Sequence, residues 1–325
     1  MTQRQTPASP RPQQRTRLGY ALVVTAAMLF IVNAGVSRVT IRAGVEPATL
    51  TTLRVTGSIL VFGLWAALGR RGALTPPRGR ELVLVIALGL VGVALLQWTY
   101  FVAIDRLPLG IALLLEYTAP VLVALWARFV RREPVRQRVW LALALSMAGL
   151  VLVSQAWQGM VLDRLGVLAG AGAAVSFAAY FLLGEHGVST EDPLRVILWS
   201  FLVAAVTLNV VAPITGLDRD VPGATTSLLG TMDSLSAPVW VLLLWVALLG
   251  TSVPFLLELY ALQQLRATAV IVVMMLEPVG ATVLGWAWFR ESLTGVQILG
   301  ASAVVAGILL AQTARRAARA PVPVG

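Results

Sequence analysis

Apolar stretches of about twenty residues, the length a helix needs to cross the hydrocarbon of a bilayer, recur ten times along the chain with short polar segments between them. They fall at 18–36, 48–69, 82–104, 109–130, 135–154, 165–184, 194–211, 239–262, 268–289 and 294–313. Only helices keep every backbone group paired in lipid, so the pattern predicts an all-α polytopic membrane protein with ten transmembrane helices. Residues 1–17, rich in Pro, Gln and Thr, lack the apolar content of a core and are expected as a disordered tail; 315–325 forms a second tail. A basic segment before an apolar run is also the form of a signal peptide. This run is longer than a signal core and leads into further spans, which favours an uncleaved first helix.

The pattern repeats internally. The stretch Gly110–Glu133 carries an acid, Glu116, shortly before Pro120 and closes on Arg132 and Glu133. Thr268–Glu291 carries Glu277 directly before Pro278 and closes on Arg290 and Glu291. Pro120 and Pro278 are 158 residues apart, as are Glu133 and Glu291. Upstream the offset becomes 147, pairing Leu18 with Leu165, Gly19 with Gly166 and Phe30 with Phe177. The polar segment 213–238, with Asp218, Asp220 and Asp233, absorbs the difference and is expected as an external loop. Two units of five spans, 18–155 and 165–314, must enter the membrane in opposite senses because five is odd. The expected fold is therefore two inverted five-helix repeats, a plan that puts substrate near the midplane between halves.

Composition then narrows the function classes. With 58% hydrophobic and 12% charged residues and a mean hydropathy of +0.83, the 325-residue chain is too apolar for a soluble domain. It has no cysteine and one histidine, which leaves no His or Cys metal site, and all of its basic residues are arginine, which removes lysine-based covalent chemistry. The net charge of +10 sits in clusters between spans, such as Arg70, Arg71, Arg78 and Arg80, or Arg128, Arg131, Arg132, Arg136 and Arg138. Those clusters are topology signals and give no nucleic-acid face; they place both termini in the cytoplasm of a multi-pass protein of the inner cell membrane. No Gly-rich Lys-containing nucleotide loop occurs, and no cofactor is expected.

Ionisable side chains inside a span need a partner or a wet cavity. Four qualify as substrate- or proton-binding candidates: Glu116 and Glu277 near mid-span, Glu258 about one turn from the cytoplasmic boundary, and Arg54 nearer the outside. Glu116 and Glu277 are expected to face a central cavity, holding a cationic group or exchanging protons; packing against a neighbouring helix is the plain alternative. For Glu258 that alternative is snorkelling to water, and for Arg54 an ion pair with a carboxylate. Tyr117, Gln97, Trp98 and Tyr100 offer groups that line such a cavity or simply pack. Pro120 and Pro278 each remove a backbone donor in mid-span and are candidate conformational residues. The stripe Gly166, Gly170, Ala174, Ala178 suits close helix packing, and His186 is expected past the end of the sixth span, solvated.

The motifs TAPVLVALWARFVRRE and MLEPVGATVLGWAWFRESL resemble the drug/metabolite transporter superfamily in its two-domain EamA form, over nearly the whole of 18–313. LLEYTAP, FLLELYAL and MLEP, which contain Glu116, Glu258 and Glu277, are similar to the pattern of threonine/homoserine-type exporters. The resemblance implies a ten-helix carrier that moves small organic metabolites, often outward, by alternating access and commonly driven by protons. Where that family has Gly-Glu at the ends of helices 4 and 9, this chain has Arg132-Glu133 and Arg290-Glu291, which bears on local capping. The expected function is a secondary exporter of amino acids or similar small polar compounds. Its partners are a small-molecule substrate, protons or another coupling ion, and the lipid bilayer. Efflux of apolar cations and a non-transporting scaffold are the alternatives; an intramembrane enzyme is disfavoured by the lack of a His-Glu metal helix, Ser-Lys pair or catalytic cysteine.

Overall fold

The computed structural model describes residues 12–107, 109–155 and 163–316. Among them, nine helices are long and apolar enough to span a membrane and a tenth, apolar over Gly295–Ala311, is shorter. In chain order they are α1 (Pro12–Arg42), α2 (Pro47–Gly69), α3 (Arg80–Arg106), α4 (Leu109–Glu116 continued by Ala119–Phe129), α5 (Gln137–Ser154), α6 (Arg164–Thr190), α7 (Pro193–Val211), α8 (Val239–Leu262), α9 (Ala267–Met274 continued by Leu276–Phe289) and α10 (Gly295–Arg316). The outward surface is lipid-like, with Leu60, Leu68 and Val210 each at least 75% exposed.

Several helices outrun their apolar cores. The first begins at Pro12, inside the stretch expected as tail, because proline suits a first turn and the Gln and Arg that follow are good helix formers. Residues 1–11 and 317–325 of the two expected tails lie outside the described residues. The sixth runs on to Thr190, so His186 is an exposed residue on a helix, where a position past its end was expected. Polar residues at an interface do not stop a helix; this one stops where Asp192 precedes Pro193 and must leave the helical region. The segment 213–238 is more ordered than a plain loop. Thr225–Ser227 (β1) and Ser236–Pro238 (β2) pair antiparallel in a small hairpin.

Contacts at glycines expose the inverted repeat directly. A Cβ on Gly19 would strike Gln264 and Leu265, and one on Gly166 would strike Arg106 and Leu107: both members of each pair follow the 147 and 158 offsets. Gly92 packs on Tyr180 while its counterpart Gly250 packs on Asn33, the counterpart of Tyr180. Between α5 and α10, Gly149 abuts the Gly300 carbonyl and Gly307 abuts the Ala142 carbonyl, again as mates. These approaches need small residues, which lets two backbones meet at van der Waals distance where the hydrophobic effect gives no help. The predicted stripe Gly166, Gly170, Ala174, Ala178 is buried in the same way, Gly170 against Leu115 of α4.

The repeat reaches backbone detail. Wide π turns interrupt α3 at Leu88–Leu95 and α8 at Leu248–Ser252, stretches that overlap under the 158 offset. Both α4 and α9 break in mid-span, at Tyr117–Thr118 and at Met275, with Pro120 and Pro278 in the first turn of the following segment. A proline there removes the donor that would have reached the carbonyl of Glu116 or Met274. Both helices also end alike. Arg132 (φ 53) and Arg290 (φ 57) adopt the left-handed conformation while the following glutamate N–H returns to the carbonyl of Ala127 or Gly285. Glycine is the residue for that cap, and arginine there is strained. Arg132→Gly and Arg290→Gly should therefore each raise stability by about 0.5–1 kcal/mol, read as a higher unfolding midpoint in detergent.

Candidate functional site

The two broken helices meet at their breaks. The Tyr117 hydroxyl, at the break of α4, donates to Glu277 Oε2 at 2.6 Å in the first turn of the second segment of α9. That bond joins the two halves at mid-span. Glu277 sits where a helix N-terminus favours negative charge. Glu116 ends the first segment of α4; under the repeat it falls on Met274, so the two acids are one helical turn out of register, and only the prolines are true mates. The acids are half-buried, Tyr117 is buried, and Pro120 and Pro278 are buried beside them.

Helix α2 supplies the countercharge. Arg54 is half-buried and interacts electrostatically with Glu277, Glu116 and Tyr100, and its Nε is buried without a hydrogen-bond partner among the described residues. Tyr100 of α3 senses both acids and Arg54. One guanidinium, two carboxyls and two phenols from α2, α3, α4 and α9 thus converge from both repeats. Of the other predicted residues, Gln97 is buried in α3 and, among the described residues, no hydrogen bond ties it to the acids. Trp98 does not belong with them: it is 41% exposed on the face it shares with Leu95.

Glu258 corrects the expectation of snorkelling. It is 1% exposed in α8, and its Oε2 accepts from the Tyr180 hydroxyl of α6 at 3.1 Å. Position along a helix sets depth, but the facing helix α6 decides whether water reaches the group. Tyr180 escaped the sequence reading; its repeat mate Asn33, also buried and polar, was the available signal. A chain of edge-on rings links the two acidic groups: Tyr117 to Phe177, Phe177 to Phe181, Phe181 to Tyr180 and Tyr180 to Phe255, with centroids 5.1–5.7 Å apart.

Ion pairs stand beyond the site at both ends. Past α4, Arg131 pairs with Glu185 of α6, Arg266 pairs with Glu133, and Glu185 Oε1 accepts from the Ala267 N–H that opens α9. Past α9, Arg38 of α1 pairs with Glu291 at 2.5 Å and lies 4.4 Å over the Phe289 ring. Arg38 and Glu185 are repeat mates, as are Arg131 and Phe289. The hairpin seals this second end: Trp288 Nε1 donates to the Leu228 carbonyl, and Thr231 donates to the carbonyls of Ala287 and Trp288.

Residues 17–155 and, separately, 164–313 match the family described as EamA-like transporter family. The chain belongs to that family. Among curated EamA-like relatives, the threonine/homoserine exporter RhtA of Salmonella typhimurium (strain LT2) is 32% identical over 215 residues, and that of Escherichia coli (strain K12) 31% over 216. Each match covers 65% of this chain and 65% of the relative, so the chain spans just under two thirds of their length. An uncharacterized transporter of Archaeoglobus fulgidus is 25% identical over 302 residues, covering 91% of this chain and 96% of its own. A solved crystal structure shares the fold at a TM-score of 0.75 and 20% identity, over 95% of this chain and 99% of that one. This chain is thus a multi-pass member of the EamA-like transporter family, and its two matched segments carry the two inverted repeats.

Proposed function

We propose that the protein is a secondary active carrier that exports amino acids or related small polar metabolites by alternating access, coupled to protons, with both termini in the cytoplasm. The observation that carries this reading is the mixed-charge group at the helix breaks. Glu116 and Glu277 suit an ammonium, and the unpartnered Nε of Arg54 suits a carboxylate, so the group offers both poles that a zwitterion presents. A guanidinium among the acids argues against lipophilic cations as cargo, since like charge would repel them. Relatives that bear the name of a threonine/homoserine exporter support the same substrate class.

Broken helices supply bendable joints at the depth of the site, and the ion pairs past α4 and past α9 serve as alternating latches. Each such exposed pair is worth under about 1 kcal/mol, weak enough to open in every cycle. The test is purified protein in proteoliposomes, assayed with labelled threonine and homoserine under an imposed pH gradient. Wild type should show gradient-stimulated flux, and Glu116→Gln should lower it at least about tenfold, with an altered pH dependence. Equal flux and equal pH dependence in both proteins would remove Glu116 from the mechanism.

A further inference from the structure

The two acidic groups of the interior are built differently. Glu116 and Glu277 share the guanidinium of Arg54 and keep partial access to solvent. Glu258 has neither. It is sealed at 1% exposure, its partner Tyr180 is at 0%, and the rings of Phe181 and Phe255 pack edge-on against Tyr180. Among the described residues, the groups that act on its carboxyl are the Tyr180 hydroxyl and the charge of Glu277, and no cation is among them. Its Oε1 is buried without a hydrogen-bond partner among the described residues. An oxygen so placed is one donor short, and the position is too enclosed for a substrate-sized ligand, whereas a proton fits on it.

We propose that Glu258 is the proton carrier of the transport cycle, separate from the acids that hold substrate, and that Tyr180 holds it in place. The inference rests on the carrier reading above. Its coupling needs no moving wire. The charge of Glu277 acts on Glu258, and Tyr117, which holds Glu277, senses Glu258 as well. With no substrate bound, Glu277 presents its charge to Glu258. When the ammonium of a substrate neutralises Glu277, that charge is gone, and Glu258 gives up its proton once the helices part and water reaches it. Proton and substrate therefore exclude each other across one electrostatic contact, which is the requirement for exchanging one inward proton for one outward substrate. The step is a proton transfer only: an O–H bond forms at Oε1 on one side of the membrane and breaks on the other.

The experiment uses full-length protein in proteoliposomes with labelled threonine and an entrapped pH dye. In wild type, a proton gradient should accelerate threonine efflux, and threonine should drive counter-movement of protons. Glu258→Gln, nearly isosteric, should lose at least tenfold of the gradient-driven flux and the proton signal, while threonine-for-threonine exchange at equal pH stays within a fewfold of wild type. Tyr180→Phe, which keeps the ring and removes only the hydroxyl, should shift the pH dependence of gradient-driven flux and stay folded. A Glu258→Gln protein that still responds to the gradient as wild type does, or whose exchange falls in parallel with its driven flux, would overturn the proposal. So would wild-type exchange indifferent to pH, which leaves the carrier reading intact; a wild type that moves no amino acid at all would instead defeat that reading.

Discussion

Arg54→Gln should lower threonine efflux about a hundredfold, the equivalent of roughly 3 kcal/mol, by removing the one guanidinium that the two mid-span acids share. The loss has two sources. A carboxylate cargo would lose its partner at the unoccupied Nε, and Glu116 and Glu277 would face each other without a countercharge. The double variant Arg54→Gln with Glu277→Gln separates them, because it restores the charge balance without restoring an anion site. It should recover the thermal stability of wild type and still fail to transport. Recovery of flux in the double variant would mean that Arg54 serves only to balance charge.

Gly149→Leu should lower stability by about 3 kcal/mol or more and leave little monodisperse protein after solubilisation. Even its Cβ would come to 2.6 Å from the Gly300 carbonyl and 2.8 Å from the Val304 backbone N, so α5 and α10 have to part. Gly307→Leu should act alike, since its Cβ meets the Ala142 carbonyl at 2.7 Å in the mate of that contact. Gly63→Leu is the matched control: no atom lies within 4 Å of a Cβ there, and its melting curve should stay close to wild type. Equal melting curves for all three would mean that the α5–α10 seam is not closely packed in the membrane.

The repeat was legible because its landmarks are chemical oddities in an apolar sequence: a proline beside an acid, an Arg-Glu at a helix end. Those survive duplication and are easily paired by eye. Helix ends were less legible, since interfacial residues such as Glu185 and His186 are as helical as the span before them. The site was half legible. Charges inside spans named Glu116, Glu277, Glu258 and Arg54, but which of them face one another depends on how ten helices pack. Nothing in the local sequence of LLEYTAP says that Tyr117 reaches Glu277 of the other repeat, or that Glu258 is walled in by Tyr180. Sequence distance gives depth in the membrane; azimuth comes only from neighbours.

The hairpin between α7 and α8 consists of two strands of three residues, far below what an isolated sheet needs to persist in water. Part of its order comes from the start of α8, whose Val239 and Trp240 N–H groups donate to the Ala224 and Pro222 carbonyls, and part from α9, through the Trp288 indole on Leu228 and the Thr231 hydroxyl on the last turn of that helix. A tilt of α9 that withdrew its share of those partners would loosen the hairpin as well. In the alternating-access cycle proposed above, opening this end would carry the melting of a short segment, so that the entropy of a dozen residues would add to the swing of the helices in setting how readily it opens.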